Sequence, residues 1–231
     1  MRTPRGAHVV IGVHRRNPSG RLTVGFYSLV KLFTERYTLS SQEFMTRYPS
    51  NRERLMDAAG ELFYREGLHA ITADRVADRA GLSKPTIYNL FGSKDALVLE
   101  TLQRRAEQIR LHIEQRAAAH DDPERKLAEV LQVHAEMLTS DGFHGCPLII
   151  AAVQAPDSAE ARELASAHKT WLRALIARFA RRAGLKSSET LASSLVLILE
   201  GAAAMSSVQP SDVVVRHARA AAQALITAHK P

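Results

Sequence analysis

A single cysteine, Cys146, stands among the 231 residues. One thiol cannot build an internal disulfide framework or a Cys-rich zinc site, so a reducing compartment suits the chain. Aromatic residues make up only 6%. Twelve Gly and nine Pro are too few for an all-β chain with a turn every ten residues. No uninterrupted apolar run reaches the ~18 residues of a membrane span, and the apolar patch Leu22–Val30 stops at Lys31. Absent too are a phosphate-binding Gly loop, a G-x-S-x-G elbow and any Cys/His cluster with ligand spacing. Neither a metal nor a cofactor is therefore expected. Cys146 with His144 is the best available start for a hydrolase, and no convincing acid accompanies it. An enzyme is not the expectation.

What is present is an ordinary globular balance of 45% apolar and 24% charged residues, rich in Ala. The net charge of +7 suggests nucleic acid until it is located. Residues 1–49 hold eight Lys/Arg against two Asp/Glu, residues 50–110 ten against nine, and residues 111–231 thirteen against thirteen. The basicity sits in the lead, and overall charge is weak evidence for DNA binding. Residues 1–48 show no sustained period and read as a basic, disordered lead. An upstream mis-start, with the true start at Met45, is the rival reading. A signal peptide is disfavoured because no small-residue cleavage site follows the apolar patch.

From Ser50 onward helical periodicity is nearly continuous. Leu55, Ala59, Leu62 and Phe63 share one face of a helix that Gly67 ends. Short helices over 73–80 and up to Phe91 precede a long one from Lys94 to about Ala119, striped by Val98, Leu102, Ala106, Ile109 and Ile113. Further helices are predicted over 123–139, 146–154, 157–183, 187–207 and 212–228. The helix over 187–207 is apolar around most of its circumference.

Function is concentrated in TADRVADRAGLSKPTIYNLFGSK, residues 72–94. Thr72 is placed to cap the first short helix, with Asp74 at its positive end. Val76, Ala77 and Ala80 face inward, and Gly81 suits a left-handed turn residue. Leu82 plugs the turn and Ser83 caps the second helix, where Ile87, Leu90 and Phe91 can face the core. Lys84, Pro85, Thr86, Tyr88 and Asn89 are left near the outer side, where a short helix can enter a major groove end-first. An ordinary helix hairpin would need no particular residues there, and a non-DNA helical adaptor is the bland alternative.

Together with AAGELFYREG before it and SKDAL after it, this stretch resembles the N-terminal domain of TetR-type transcriptional regulators across roughly residues 49–109. The resemblance implies an all-α fold: a three-helix helix-turn-helix domain over 49–109 with its motif at 72–91, a long fourth helix, and an effector-binding and dimerising bundle over 110–231. It implies a cytoplasmic homodimer on double-stranded, pseudo-palindromic operator DNA, repressing until a small-molecule effector releases it, with no membrane partner. Tyr88 falls at the family's recurrent tyrosine, expected to bond a phosphate. Lys94 at the start of the fourth helix makes a second phosphate site with free backbone N–H groups. Thr72 can contact the backbone similarly, and Arg52 and Arg54 are candidate backbone clamps. Lys84 can reach guanine or phosphate, Pro85 and Thr86 a thymine methyl, and Asn89 adenine. Asp74 departs from the Arg or Lys often found there; it either accepts from a cytosine amine or serves only as a cap. Leu90 replaces a polar aromatic, a change expected to concern packing. His134, Met137, Phe143, Cys146, Trp171 and Glu200 are the effector-pocket candidates, with plain core as the competing reading. Glu200, inside an apolar run, must be paired or protonated.

Overall fold

The computed structural model describes residues 49–68, 71–140 and 142–231. The expectations for the basic lead and for a start at Met45 lie outside the described residues. Within them the chain forms nine α-helices and no strand: α1 Asn51–Glu66, α2 Ala73–Ala80, α3 Lys84–Phe91, α4 Lys94–Ala118, α5 Pro123–Leu138, α6 Pro147–Gln154, α7 Ala159–Arg182, α8 Ser188–Met205 and α9 Ser211–Ala228.

The helix boundaries follow from local chemistry. Thr72 accepts from the Arg75 N–H, Ser93 from Ala96 and Ser158 from Ala161, each satisfying an amide that its helix cannot. The Asp122 side chain caps α5 by accepting from Glu124 and Arg125, with Pro123 in the first turn. Gly81 ends α2 in the left-handed region, at φ 63°, where its N–H reaches back to close the helix. The sixth helix starts at Pro147 rather than Cys146, because proline suits the first helical position and leaves Cys146 as the extended residue before it.

Helix α4, about 37 Å long at 1.5 Å per residue, belongs to two cores. Its Leu97, Val98, Leu102 and Ala106 join Leu55, Phe63, Val76 and Ile87 in the head. Its Ile109, Ile113 and Ala117 join Leu127, Val130, Leu172, Ile176, Leu191 and Leu195 in the body. Leu148 and Ala151 of α6 and Ala165 of α7 pack with the head. Helix α6, read from the sequence as part of the body, is therefore seated against the head's core.

Leu90 corrects the sequence reading. It is 37% exposed, because a two-turn helix buries one narrow face and Ile87 occupies it. Helix α8 also differs from what uninterrupted runs suggest: among the described residues it is the one helix long and apolar enough to cross a membrane, with only a third of it buried. Its inward residues Leu191, Leu195, Leu199 and Ala202 pack on the body. Leu197, Gly201 and Met205 lie along its outer side and Val208 follows in the turn after it, with Leu197 73% and Val208 76% exposed.

Candidate nucleic-acid interface and body cavity

The head is braced by ion pairs. Arg79 grips Glu61 with both arms of its guanidinium, at 2.6 and 2.9 Å, and holds that carboxyl below its ordinary range. Arg75 bonds Glu66 at 2.6 Å, and Arg104 pairs with Asp57. Arg52 forks onto Glu100, donates to the Leu90 carbonyl at 2.9 Å and lies 4.4 Å over the Phe91 ring. Arg54 donates to the Ala80 carbonyl at 2.6 Å and to that of Gly81 at 3.3 Å, satisfying carbonyls at the end of α2. Both arginines are expected as clamps on DNA; in the structure their donors are engaged by groups at the ends of α2 and α3 and on α4.

Asp74 and Lys84 tie the two short helices together at 2.9 Å, and that contact raises the lysine's pKa. Lys94 leans on Asp95 at 3.2 Å at the start of α4. Ser83 precedes α3, but its hydroxyl pairs with the Thr86 hydroxyl at 2.8 Å instead of capping a helix N–H. Tyr88 and Asn89 are exposed, and neither side chain is hydrogen-bonded to a described residue. Pro85 is exposed beside them. The face therefore combines a fixed frame with a few polar groups whose hydrogen-bonding capacity is unused, which is what reading base edges requires.

In the body, one cavity of about 30 Å³ brings together His134, Met137, Phe143, Cys146 and Glu200, with His168 and Lys169 beside them. Trp171 is not among its lining; its indole N–H points to Glu114 at 3.3 Å, and Arg110 lies 5.1 Å above its ring. Lys169 Nζ is 2.5 Å from Glu200 Oε1 and 3.4 Å from Cys146 Sγ. Glu200, puzzling in the sequence, thus has its counter-charge. His134 donates from Nδ1 to the Val130 carbonyl at 2.8 Å, leaving Nε2 as an acceptor. Burial, then the charges of Lys169, His134 and Arg110, pushes the His168 imidazole down to about 4. His168 is 5% exposed, and its Nδ1 has no hydrogen-bond partner. Neither His168 nor Lys169 stands out as a functional residue in the sequence. His168 falls at helical spacing with Leu164, Trp171, Leu172 and Leu175 and so reads as core, and Lys169 is the next residue.

Two links join this region to the head. The Tyr64 hydroxyl accepts from the His144 N–H at 2.9 Å and donates to the Gly145 carbonyl at 3.1 Å. At the other end of α6, the Leu68 N–H donates to Gln154 Oε1 at 2.7 Å. Among the described residues no group of His, Cys, Asp and Glu could hold a metal ion.

Comparisons with known proteins agree with this arrangement. The profile for bacterial regulatory proteins of the tetR family matches residues 55–101, and one for the C-terminal domain of LmrA/YxaF-like transcriptional regulators matches residues 123–221. The HTH-type transcriptional activator FasR of Mycolicibacterium smegmatis is 34% identical over 90 residues, 39% of this chain and 41% of that protein. The match thus spans less than half of that relative. A TetR-type regulator from Streptomyces avermitilis is 28% identical over 78% of this chain and 98% of its own, with a TM-score of 0.69. For a TetR-family regulator from Streptomyces coelicolor the TM-score is 0.76 at 24% identity, over 83% of this chain and 96% of its own, a likeness of fold. With one profile on the braced helix-turn-helix and the other on the bundle that holds the cavity, the chain belongs to the TetR family of DNA-binding transcriptional regulators and is not an enzyme.

Proposed function

We propose that the protein is a cytoplasmic homodimer that represses transcription from a pseudo-palindromic operator until a small effector enters its body. The observation that carries this reading is the exposed pair Tyr88 and Asn89 on α3, not hydrogen-bonded to any described residue and flanked by a frame of paired charges. Thr86 and Pro85 offer apolar contact to thymine, and Asn89 suits adenine. Tyr88 bonds phosphate, and Lys94 with the first amides of α4 makes a second phosphate site. Thr72 touches the backbone beside them. Asp74 acts as the brace for Lys84, which can still swing to phosphate or guanine, while Arg52 and Arg54 serve the frame. The head is taken as residues 49–109 and the effector and dimer part as 110–231.

Dimerisation is supported by the outer faces of α8 and α9. Leu197, Gly201 and Met205 recur every four residues, Val208 follows exposed in the turn after α8, and a Cβ added at Gly201 would meet nothing within 4 Å. Ala221, Ala224 and Ala228 stay exposed along α9. Two such faces can approach closely around a two-fold axis, which matches the symmetry of a palindromic site. For release, the head–body links through Tyr64 and Gln154 offer a route by which a change near Cys146 reaches α1.

The test is binding of the purified protein to its own upstream DNA as a function of salt, with light scattering in parallel. Specific, salt-dependent binding by a dimer is expected. A monomer at micromolar concentration, or binding indifferent to sequence, would overturn the reading. A reporter behind the same operator should rise when the protein is deleted. A fall would make it an activator, as the mycobacterial relative is by name.

A further inference from the structure

We propose that Cys146 is a modification site for small α,β-unsaturated carbonyl compounds, with Lys169 and His168 assisting the addition, and that the adduct loosens the link between body and head. The proposal rests on the regulatory reading above and names the chemistry of its effector.

Three observations converge on the site. The Lys169 ammonium stands 3.4 Å from Sγ, where it favours negative charge developing on the sulfur. The same ammonium is 2.5 Å from Glu200, a carboxylate able to take a proton passed through it. Independently, His168 is 5% exposed, lines the same cavity and has an Nδ1 without a partner. A buried polar atom left unpaired costs free energy, and a ligand oxygen would relieve it. A larger cavity of about 380 Å³ shares Met137, Phe143 and Pro147 with this one and adds Met56, Phe63 and Leu102. An apolar carbon chain suits the larger space, and a carbonyl oxygen the smaller.

The addition needs no oxidant and has no leaving group. The thiol proton passes through Lys169 to Glu200 as Sγ bonds to the β-carbon. The C=C pair moves through the carbonyl to place negative charge on oxygen, where the Nδ1–H tautomer of His168 and a Lys169 N–H donate to it. The enolate then takes the proton back on its α-carbon. The smaller cavity, about 30 Å³ and near the volume one water occupies, has room for the carbonyl oxygen alone, so the carbon chain reaches the larger one only by displacing the shared wall of Met137, Phe143 and Pro147. Cys146 follows Gly145 directly, and Gly145 accepts the Tyr64 hydroxyl bond to α1.

The experiment uses methyl vinyl ketone and iodoacetamide on the full chain, read by intact mass and by operator binding. Operator binding of unmodified protein is measured first, so its failure refutes the DNA reading separately. Because Cys146 is the chain's one cysteine, Cys146→Ser should abolish the fast single adduct and keep operator binding when methyl vinyl ketone is added. His168→Phe should slow the enone about tenfold to hundredfold and leave iodoacetamide, which develops no oxyanion, near its original rate. His168→Asn, which keeps an N–H donor, should restore part of the enone rate and guards against a misfolded Phe variant. Lys169→Gln should slow both reagents. The proposal is overturned if His168→Phe slows both reagents equally, if Cys146 in the native protein reacts with the enone no faster than in the unfolded chain, or if complete alkylation leaves operator affinity unchanged.

Discussion

On the exposed side of α3, Tyr88 and Asn89 stand in solvent with no hydrogen bond to a described residue, and the charges around them are paired into a frame. In the body an unpartnered atom, His168 Nδ1, is buried, and the charge beside it is a half-buried pair, Lys169 with Glu200. Free polar groups on the surface cost little, because water satisfies them until a base edge or phosphate replaces it. The same freedom in an interior carries a desolvation penalty. The head thus keeps its free polar groups outward within a frame of paired charges, and the body keeps an unsatisfied polar atom inside. Because α4 enters both cores, a change in one has a mechanical route to the other.

The largest expected effect comes from breaking the body's pair. With side chains only 19% and 24% exposed, Glu200→Gln leaves an ammonium with no counter-charge and should destabilise the protein by about 3 kcal/mol. Replacing both partners together, Lys169→Met with Glu200→Leu, should recover most of that loss in urea denaturation, since an apolar pair has no charge to desolvate. The arginine pairs of the head, which sit in solvent, should show no comparable penalty. Equal losses at Glu200 and Glu61 would erase the contrast between the regions.

Acid should sharpen the same contrast. The His168 imidazole is lowered from the ordinary 6.5 to about 4, and burial lowers His134 as well. Lys169 acts on both, Arg110 also on His168 and Glu200 also on His134. Below pH 6.5 the unfolded chain takes up a proton that the folded chain refuses, so stability falls with decreasing pH down to about 4, where the folded form protonates too. The loss approaches about 3 kcal/mol at most for His168. His168→Phe should flatten the stability profile between pH 6.5 and 4, and a profile unchanged by that substitution would remove the buried neutral imidazole from the account.

The difference between the regions also decides what could be read from sequence. Helix type and most helix ends were legible because caps, Gly81 and the 3.6-residue stripes are local, and every residue of the stripe on α4 is buried. Leu90 was misread because periodicity marks apolar residues without saying that a two-turn helix has room for one at its core, Ile87. The protein partners of Arg52 and Arg54 were hidden for a related reason. A basic residue near a DNA-binding helix looks free until its partners, Glu100 and the Ala80 carbonyl, arrive from 48 and 26 residues away. In the body, Cys146, His134 and Glu200 were singled out one by one for chemistry or oddness. Their meeting around Lys169, from four elements, is a property of packing that no local spacing encodes.

On the recognition face, Asn89→Ala or Thr86→Ala should relax preference at particular operator positions by about 1–3 kcal/mol where the lost contact is a good base contact. Tyr88→Phe should weaken binding to every sequence by a similar factor. Lys94→Ala should do likewise and lower the salt slope by about one. Binding to a library of single-base operator variants separates these outcomes. If Tyr88→Phe reorders the sequences while Asn89→Ala and Thr86→Ala leave the order intact, the division between positioning and reading is reversed.

The smallest effect is the one that tests the frame itself. Arg52 makes three contacts, with Glu100, the Leu90 carbonyl and the Phe91 ring, and all fall on the end of α3 or on α4. Its side chain is 43% exposed, so screening limits the ion pair, and Arg52→Ala should cost about 1 kcal/mol of stability. A brace that fixes the angle of α3 should weaken all operator sequences together while leaving the salt slope where it was. A clamp on the DNA backbone would lower that slope by about one, because one phosphate would regain its counterion. Arg52→Lys separates the two further: a lysine keeps the charge for a phosphate but cannot fork onto Glu100 and reach the Leu90 carbonyl at once. Operator binding as weak with Lys as with Ala, at an unchanged slope, is the outcome expected of the brace. Full recovery by Lys would return Arg52 to the DNA backbone.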